Sequence, residues 1–287
     1  MYHRLIDYLI LFCLSLIWGS SFILMKKGLE NFSYIQVATL RILIAFIVLS
    51  PFLFRSFKKV NKSHILPLII TGFFGNGFPA FLFAKAQTIL DSSFTGILNS
   101  LTPIFTLLFG VFIFGRFYKR ANIIGVILGF TGVIFFYFFT TNNLDFSILG
   151  LFLVIIAVIC YAISVNVIHK YLMDLDAISI TSISFLFIFP FSLIPILDID
   201  LVYIVSNQAA FISLFCIIIL GIICTALAVI IFNKLIKRTS AIFATSVTYI
   251  IPIIAIFWGF FDHERIYLEY IFGLMLIFIG IYFINKR

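Results

Sequence analysis

A chain of 287 residues, 63% of them apolar and only 10% charged, cannot close a water-soluble core, because soluble domains carry about 25% charged residues. Lipid therefore has to serve as part of its solvent. The formal net charge of +8 comes from Lys and Arg placed between apolar runs; that is the positive-inside pattern, and no basic face with groove-reading motifs accompanies it, which excludes nucleic acid as a partner.

A spanning helix needs about 20 mainly apolar residues. The apolar runs predict such helices, in order, over 6–25, 34–54, 65–87, 93–114, 121–139, 147–168, 178–197, 210–233, 241–260 and 267–285. The first run lacks a small-residue cleavage site and is read as a retained helix. Arg55-Ser56-Phe57-Lys58-Lys59 closes the second, and Asp91-Ser92-Ser93 separates the third from the fourth. Thr141-Asn142-Asn143-Leu144-Asp145 marks the midpoint, and Asp198 and Asp200 follow the seventh. Ten spans leave under about ten residues per connection, so no soluble catalytic domain is expected.

With the N-terminus inside, most basic residues fall on inner segments: Arg4, Arg55, Lys58, Lys59, Lys62, Arg116, Lys119, Arg120, Lys170, Lys234, Lys237, Arg238, Lys286 and Arg287. Lys26, Lys27, Lys85 and Arg265 fall outside, and Arg41 lies within a span. Both termini are therefore expected in the cytoplasm, with the chain in a plasma membrane, a bacterial inner one. Cys13, Cys160, Cys216 and Cys224 sit inside apolar runs without ligand spacing and read as small fillers. Gly72, Gly75 and Gly77 lack the strand and ribose-binding acid of a dinucleotide fingerprint. No cofactor or metal is expected.

The two halves repeat. Gly72 to Phe112 runs without gaps against Gly221 to Phe261, pairing Phe83 with Phe232, Lys85 with Lys234, Pro103 with Pro252 and Gly110 with Gly259. A slightly different offset pairs Trp18 with Tyr161, Ser21 with Ser164 and Lys27 with Lys170; Gly125 and Gly132 match Gly273 and Gly280. Shared Gly and Pro positions weigh most, because they constrain the backbone. Five spans per half is an odd number, so the second half must enter the bilayer upside down relative to the first. The expected fold is thus an all-α polytopic membrane protein of ten transmembrane helices, arranged as two inverted five-helix units, residues 1–143 and 144–287. Inverted repeats of this kind go with carriers whose substrate site lies between the halves near the midplane.

Trp18-Gly19-Ser20-Ser21-Phe22, Arg41 with Ala45, Pro103, Pro252 and the closing His263-Glu264-Arg265-Ile266 resemble, in that order, the motifs of the EamA family of the drug/metabolite transporter superfamily. The last stands where the family has Gly-Glu-Arg-Leu. The resemblance covers nearly the whole chain in two copies. It implies cytoplasmic termini, a central cavity, and movement of amino acids, other metabolites or drugs, often outward. One departure is Phe114-Gly115-Arg116-Phe117, which has no glutamate. Counting from Pro103 sets Gly115 opposite Glu264, and counting back from Gly125 sets Arg116 there.

Polar groups within a bilayer tend to face the bundle interior or a wet cavity. The repeat pairs Asn76 with Thr225, Asn99 with Thr248 and Ser100 with Tyr249. With Trp18, Tyr161, Ser21 and Ser164 these are the candidate substrate pathway, aromatics giving an apolar wall and amides and hydroxyls orienting a small-molecule ligand. The competing reading is interhelical hydrogen bonding for the polar residues, and an interfacial belt position for Trp18. Pro79, Pro103 and Pro252 are candidate hinges or passive bends. Arg41 is a candidate anion contact; the rival is snorkelling or bonding to carbonyls. The Gly125, Gly129, Gly132 spacing suits close helix contact within a monomer or across a homodimer, and the choice between them stays open.

Every carboxylate (Asp7, Glu30, Asp91, Asp145, Asp174, Asp176, Asp198, Asp200, Asp262, Glu264, Glu269) lies at or near a span end. Facilitated diffusion by rocking of the halves is therefore the expected mechanism, with proton coupling through Glu264 or His169 as the rival. A membrane-embedded enzyme would need to use Asp262-His263-Glu264, whose neighbours diverge by about 100° on a helix. A scaffold or receptor would lack any appended soluble domain. The chain is accordingly expected not to be an enzyme.

Overall fold

A computed structural model describes residues 2–115, 147–193, 201–264 and 269–285, with scattered positions between 120 and 132. The main helices are α1 (Tyr2–Leu29), α2 (Tyr34–Phe57), α3 (Lys62–Ala86), α4 (Ser92–Phe112), α5 (Ile148–Tyr171), α6 (Ala177–Leu193), α7 (Gln208–Arg238), α8 (Ala241–Phe261) and α9 (Glu269–Asn285), with a short helix at Leu201–Ser206 before α7. Among the described residues the fold is all-helical, and seven helices are long and apolar enough to cross a membrane. Most of the expected span at 121–139 lies outside the described residues, as do Arg116, Lys119, Gly129, Asp145, Asp198, Asp200, Arg265, Ile266, Lys286 and Arg287.

The starts of the helices follow from their sequence. Ser33 and Gln36 form a reciprocal capping box for α2, and Asn61 and His64 do the same for α3. Ser147, Asn207 and Ser240 cap α5, α7 and α8 with their side chains, the serines taking one and Asn207 two of the backbone donors that a first turn leaves free. The N-cap of α4, Asp91, makes no such bond.

Two pairs of helices are interrupted at matching places. α3 widens into a π-helical turn at Phe73–Gly77 and α7 at Ile222–Leu227. In α3 the wide turn sits just before Pro79, whose ring would otherwise press on a preceding carbonyl. α4 breaks at Ser100 and Leu101 and restarts at Thr102, while α8 passes through a tight turn at Ser246–Tyr249 and restarts at Ile251. Pro79, Pro103 and Pro252 each lie in the first two residues of a restarted segment, where the missing N–H costs nothing.

The halves interlock. α3 packs on α5 and α6, and α7 packs on α1 and α2. α4 lies along α5 and α8, and α8 along α1. Gly72 brings α3 so near α6 that an added Cβ would stand 2.5 Å from the Ser184 carbonyl. Gly221 brings α7 against α2, with its Cβ position 2.8 Å from Ile44 and 3.3 Å from the Arg41 carbonyl. Side chains such as Phe54, Phe112, Phe211 and Phe260 are left exposed, as a lipid-facing shell requires.

Ion pairs collect at two ends. At one, Asp7 meets Arg238 and Lys59 meets Asp176, each at 2.7 Å, and His64 Nε2 is hydrogen-bonded to Asp174 at the same distance. At the other, Lys26 meets Glu264 at 2.7 Å and Asp262 at 2.6 Å, and Lys27 meets Asp262 at 2.8 Å. Along α1, the nineteen steps from Asp7 to Lys26 span about 28 Å at 1.5 Å per residue, close to the ~30 Å of a bilayer's hydrocarbon. Burial opposes ionisation of Asp176, yet hydrogen bonds from Lys59 and from the backbone and hydroxyl of Ser179 outweigh it and hold the carboxyl at about 2.

Candidate functional site

The interrupted turns of α3, α4, α7 and α8 face a common cavity, part of it open to the outside. Of the residues singled out from sequence, Trp18, Ser21, Arg41, Asn76, Asn99, Tyr161, Ser164, Thr225 and Thr248 line it. Ser100 does not; it is buried and donates its hydroxyl to the Ile97 carbonyl at 2.6 Å. Tyr249 is likewise off the lining, buried in the hydrophobic core. The candidate hinges Pro79, Pro103 and Pro252 stand behind the wall at the helix restarts.

Aromatic pairs close the cavity across the halves. Trp18 sits edge-on to Phe232 at 4.9 Å, and Tyr161 stacks on Phe83 at 5.7 Å. Trp18 and Tyr161 are repeat partners, and so are Phe83 and Phe232; each half's ring leans on the other half's helix. Trp18 also donates its indole N–H to the Cys224 carbonyl at 2.9 Å, inside the wide turn of α7. A π-helical turn loosens its own backbone bonds, so side chains have to satisfy the carbonyls it frees. Thr225 does this too, donating to Leu220 at 2.8 Å while accepting from Arg41 Nε at 2.7 Å. Arg41 is thus bonded to a threonine hydroxyl, and to no carbonyl among the described residues. In α3 the wide turn lets Gly75 approach the Ser164 hydroxyl closely, with no room for a Cβ.

Asn99 ends the first segment of α4, where Thr102 donates to its backbone carbonyl at 2.7 Å and to its Oδ1 at 3.3 Å. Thr71, Phe83, Phe232 and Asn233 belong to the lining without having been singled out. Asn233 donates to Thr181 at 2.9 Å, and the Thr71 hydroxyl is buried with no partner among the described residues. The repeat that promoted Asn76 and Asn99 gave these two no support, since Leu220 and Ala84 stand opposite Thr71 and Asn233. Phe83 and Phe232 did carry a signal: they are paired aromatics next to paired lysines.

Glu264 lies away from the cavity, at the end of α8, and its side chain is 1% exposed. Its Oε1 accepts from Lys26 at 2.7 Å, from the Ser92 backbone at 3.0 Å and from the Ser92 hydroxyl at 2.6 Å; its Oε2 accepts from the Ser93 backbone at 3.0 Å. It therefore supplies the cap that α4 lacks locally, and a carboxylate at a helix N-terminus also suits the dipole. Burial disfavours its charge, but the hydrogen bonds from Lys26, Ser92 and Ser93 prevail and hold the carboxyl below its ordinary value. Asp91 beside it moves the other way, raised first by burial and then by the charge of Glu264. The carboxylates of Asp262 and Glu264 are both taken up by lysines.

The chain ends α8 with His263 in the left-handed region at φ 58°, and α4 with Gly115 at φ 69°. This backbone match sets Gly115 opposite His263, which puts Arg116 opposite Glu264. A Cβ is disfavoured at positive φ by about 1–2 kcal/mol, so His263→Gly is expected to stabilise the protein by about 0.5–1 kcal/mol after the gain in unfolded-chain freedom is counted. Thermal unfolding in detergent reads this directly; a fall in midpoint would show that the imidazole contributes more than the strain costs.

The EamA-like transporter family matches residues 5–138 and again 148–286. An uncharacterised transporter of Bacillus subtilis, YoaV, is 24% identical over 283 residues, covering 93% of this chain and 92% of its own. A probable amino-acid metabolite efflux pump of Salmonella typhimurium is 25% identical over 158 residues, and the match covers 55% of this chain and 51% of that protein. An uncharacterised inner membrane transporter of Escherichia coli, YedA, is 29% identical over 157 residues, or 53% of this chain and 49% of its own. One solved crystal structure superposes with a TM-score of 0.70 at 16% identity, covering 97% of this chain and 96% of that one.

Proposed function

The chain belongs to the EamA-like transporter family, an integral membrane transporter by that membership, and from this premise we propose that it carries small metabolites through the cavity by alternating access. The observation that carries the reading is the reciprocal pairing of Trp18 with Phe232 and Tyr161 with Phe83 around one cavity. A wall built by both halves changes shape when the halves rock, which is what a carrier requires.

In this proposal residues 1–143 and 144–287 form two inverted five-helix units, ten spans in all. Support comes from the ends at which the helices meet. α1 leads from the Asp7–Arg238 pair to the Lys26–Glu264 pair, whereas α5 carries Lys170 in its last turn, next to the segment that holds Asp174 and Asp176. Both termini are cytoplasmic in this scheme, and the membrane is a bacterial inner membrane. Trp18, Ser21, Asn76, Asn99, Tyr161, Ser164, Thr225 and Thr248 form the substrate path, with Ser100 and Tyr249 acting from behind it. Transport runs down the substrate gradient: the cavity lining contains no Asp or Glu among the described residues, and Glu264 is locked to Lys26 and α4. The substrates are amino acids, related metabolites or amphipathic compounds, most simply moved outward; the efflux-pump relative is consistent with that class.

Flux of such compounds into liposomes holding the purified protein tests the reading. Asn76→Ala with Asn99→Ala should slow it about tenfold, as expected for the loss of one or two substrate hydrogen bonds at about 1 kcal/mol each. Cysteines placed at positions 26 and 170 should label from opposite sides of the membrane. Unchanged kinetics in the double variant, or labelling from one side, would overturn the path or the inverted arrangement respectively.

A further inference from the structure

Resting on the transport reading, we propose that the cavity selects an organic anion, a monocarboxylate on an apolar body, and that Arg41 recognises its carboxylate in preference to a zwitterionic amino acid. Arg41 lies about two turns into α2, and an arginine stays charged in a protein. Its Nε is held by Thr225, which is itself anchored to Leu220 across the wide turn of α7. That leaves the two terminal nitrogens of the fork, which have no acceptor among the described residues. Among those residues no carboxylate lies within ion-pair distance of Arg41; the ion pairs gather at the two ends of the bundle.

A cation lining a cavity far from its counter-ions is costly unless a ligand supplies the missing charge. A carboxylate fits, because it can take both terminal nitrogens in parallel. A second unmet group lies in the same wall: the Thr71 hydroxyl, which can donate to a carboxylate, lines the cavity, is 2% exposed, and has no partner among the described residues. No lining Asp or Glu among the described residues offers a counter-charge to an ammonium, so an α-amino group would exchange its hydration for neutral acceptors and aromatic faces alone. The Trp18–Phe232 and Phe83–Tyr161 pairs supply an apolar wall for the rest of the molecule.

The chain has two tryptophans, and Trp258 is off the lining, so Trp258→Phe leaves Trp18 as a fluorescent reporter inside the cavity. Titrations of the detergent-purified protein compare 3-phenylpropionate with phenylalanine, 2-phenylethylamine and neutral 3-phenylpropanamide. A second set uses 4-methylpentanoate, leucine and isopentylamine. The carboxylate of at least one set should bind about tenfold or more tightly than its amino-acid counterpart, with the amine weakest. Arg41→Lys, which keeps charge but loses the fork, should weaken carboxylate binding about tenfold. Arg41→Gln should abolish the preference for the acid over the amide. Equal or tighter binding of the amino acid or amine, no binding by either carboxylate, or an unchanged acid-to-amide ratio in Arg41→Gln overturns the proposal. The ratios in the unsubstituted chain decide the matter should the Arg41 variants fail to fold. Liposome flux of the same compounds separates the two claims. Flux of amino acids without carboxylate binding defeats the anion assignment alone; the expected binding order without flux of any compound defeats the transport reading alone.

Discussion

Glu264→Ala is expected to lower the stability of the protein by about 3 kcal/mol or more, the range seen when one member of a buried charged cluster is removed. The alanine would strip α4 of the acceptor for its first two backbone donors and leave the Ser92 hydroxyl without its partner. Lys26 would retain Asp262, at 2.6 Å, which places the loss towards the lower end of that range. Glu264→Gln keeps one oxygen for Lys26 and Ser92 but turns an amide nitrogen towards the Ser93 N–H, so part of the loss should remain. Unfolding in detergent at neutral pH measures both; a change under about 1 kcal/mol in the alanine variant would show that α4 does not depend on this cap. The pH dependence has a definite sign. Because the folded carboxyl titrates below its ordinary value, the folded state holds fewer protons than the unfolded one. Its contribution is complete above the unfolded value of about 4.3 and fades as pH falls through the depressed folded value, so Glu264→Gln should flatten the acid limb of the stability curve.

Gly72→Ala is expected to cost about 2 kcal/mol, within the range of about 1–3 kcal/mol for overpacking. The new methyl would meet the backbone carbonyl of Ser184 at 2.5 Å, and a carbonyl within a helix cannot swing aside. α3 and α6 would have to part. The repeat supplies its own control: at Gly221 the nearest atoms belong to the side chain of Ile44, and the Arg41 carbonyl is farther away at 3.3 Å. Gly221→Ala should therefore be the milder substitution. If the two are equal, or the order reversed, the contact between α3 and α6 yields more readily than the geometry implies.

Helix positions were legible because a bilayer imposes one length and one polarity on every span. The described helices begin and end within a few residues of the apolar runs, apart from the ends of α1 and α7, where the helix runs on through Lys26, Lys27 and Lys234–Arg238. Pro103 and Pro252 also marked the interruptions of α4 and α8, since proline can only restart a helix there. The wide turns were harder to read. In α3 Pro79 gives a hint, but α7 widens without a proline, and its turn is held by Trp18 and Arg41, which lie far from it in the chain. The cavity residues that were missed share a reason: Thr71 and Asn233 have apolar repeat partners, so a twofold comparison passes over them. Glu264 was legible as a residue of note but not in its role. Its partners are the start of α4 and the end of α1, which only the folded chain brings to it.

The crossed placement of the rings has a bearing on how such a chain can be divided. Trp18 is completed by Phe232 and Tyr161 by Phe83, so neither fragment of a protein cut near its midpoint owns a finished side of the chamber. Each piece would carry a lone indole or phenol against lipid until the other arrived. Folding of one is therefore tied to the presence of its counterpart, like two hands that can only clasp together.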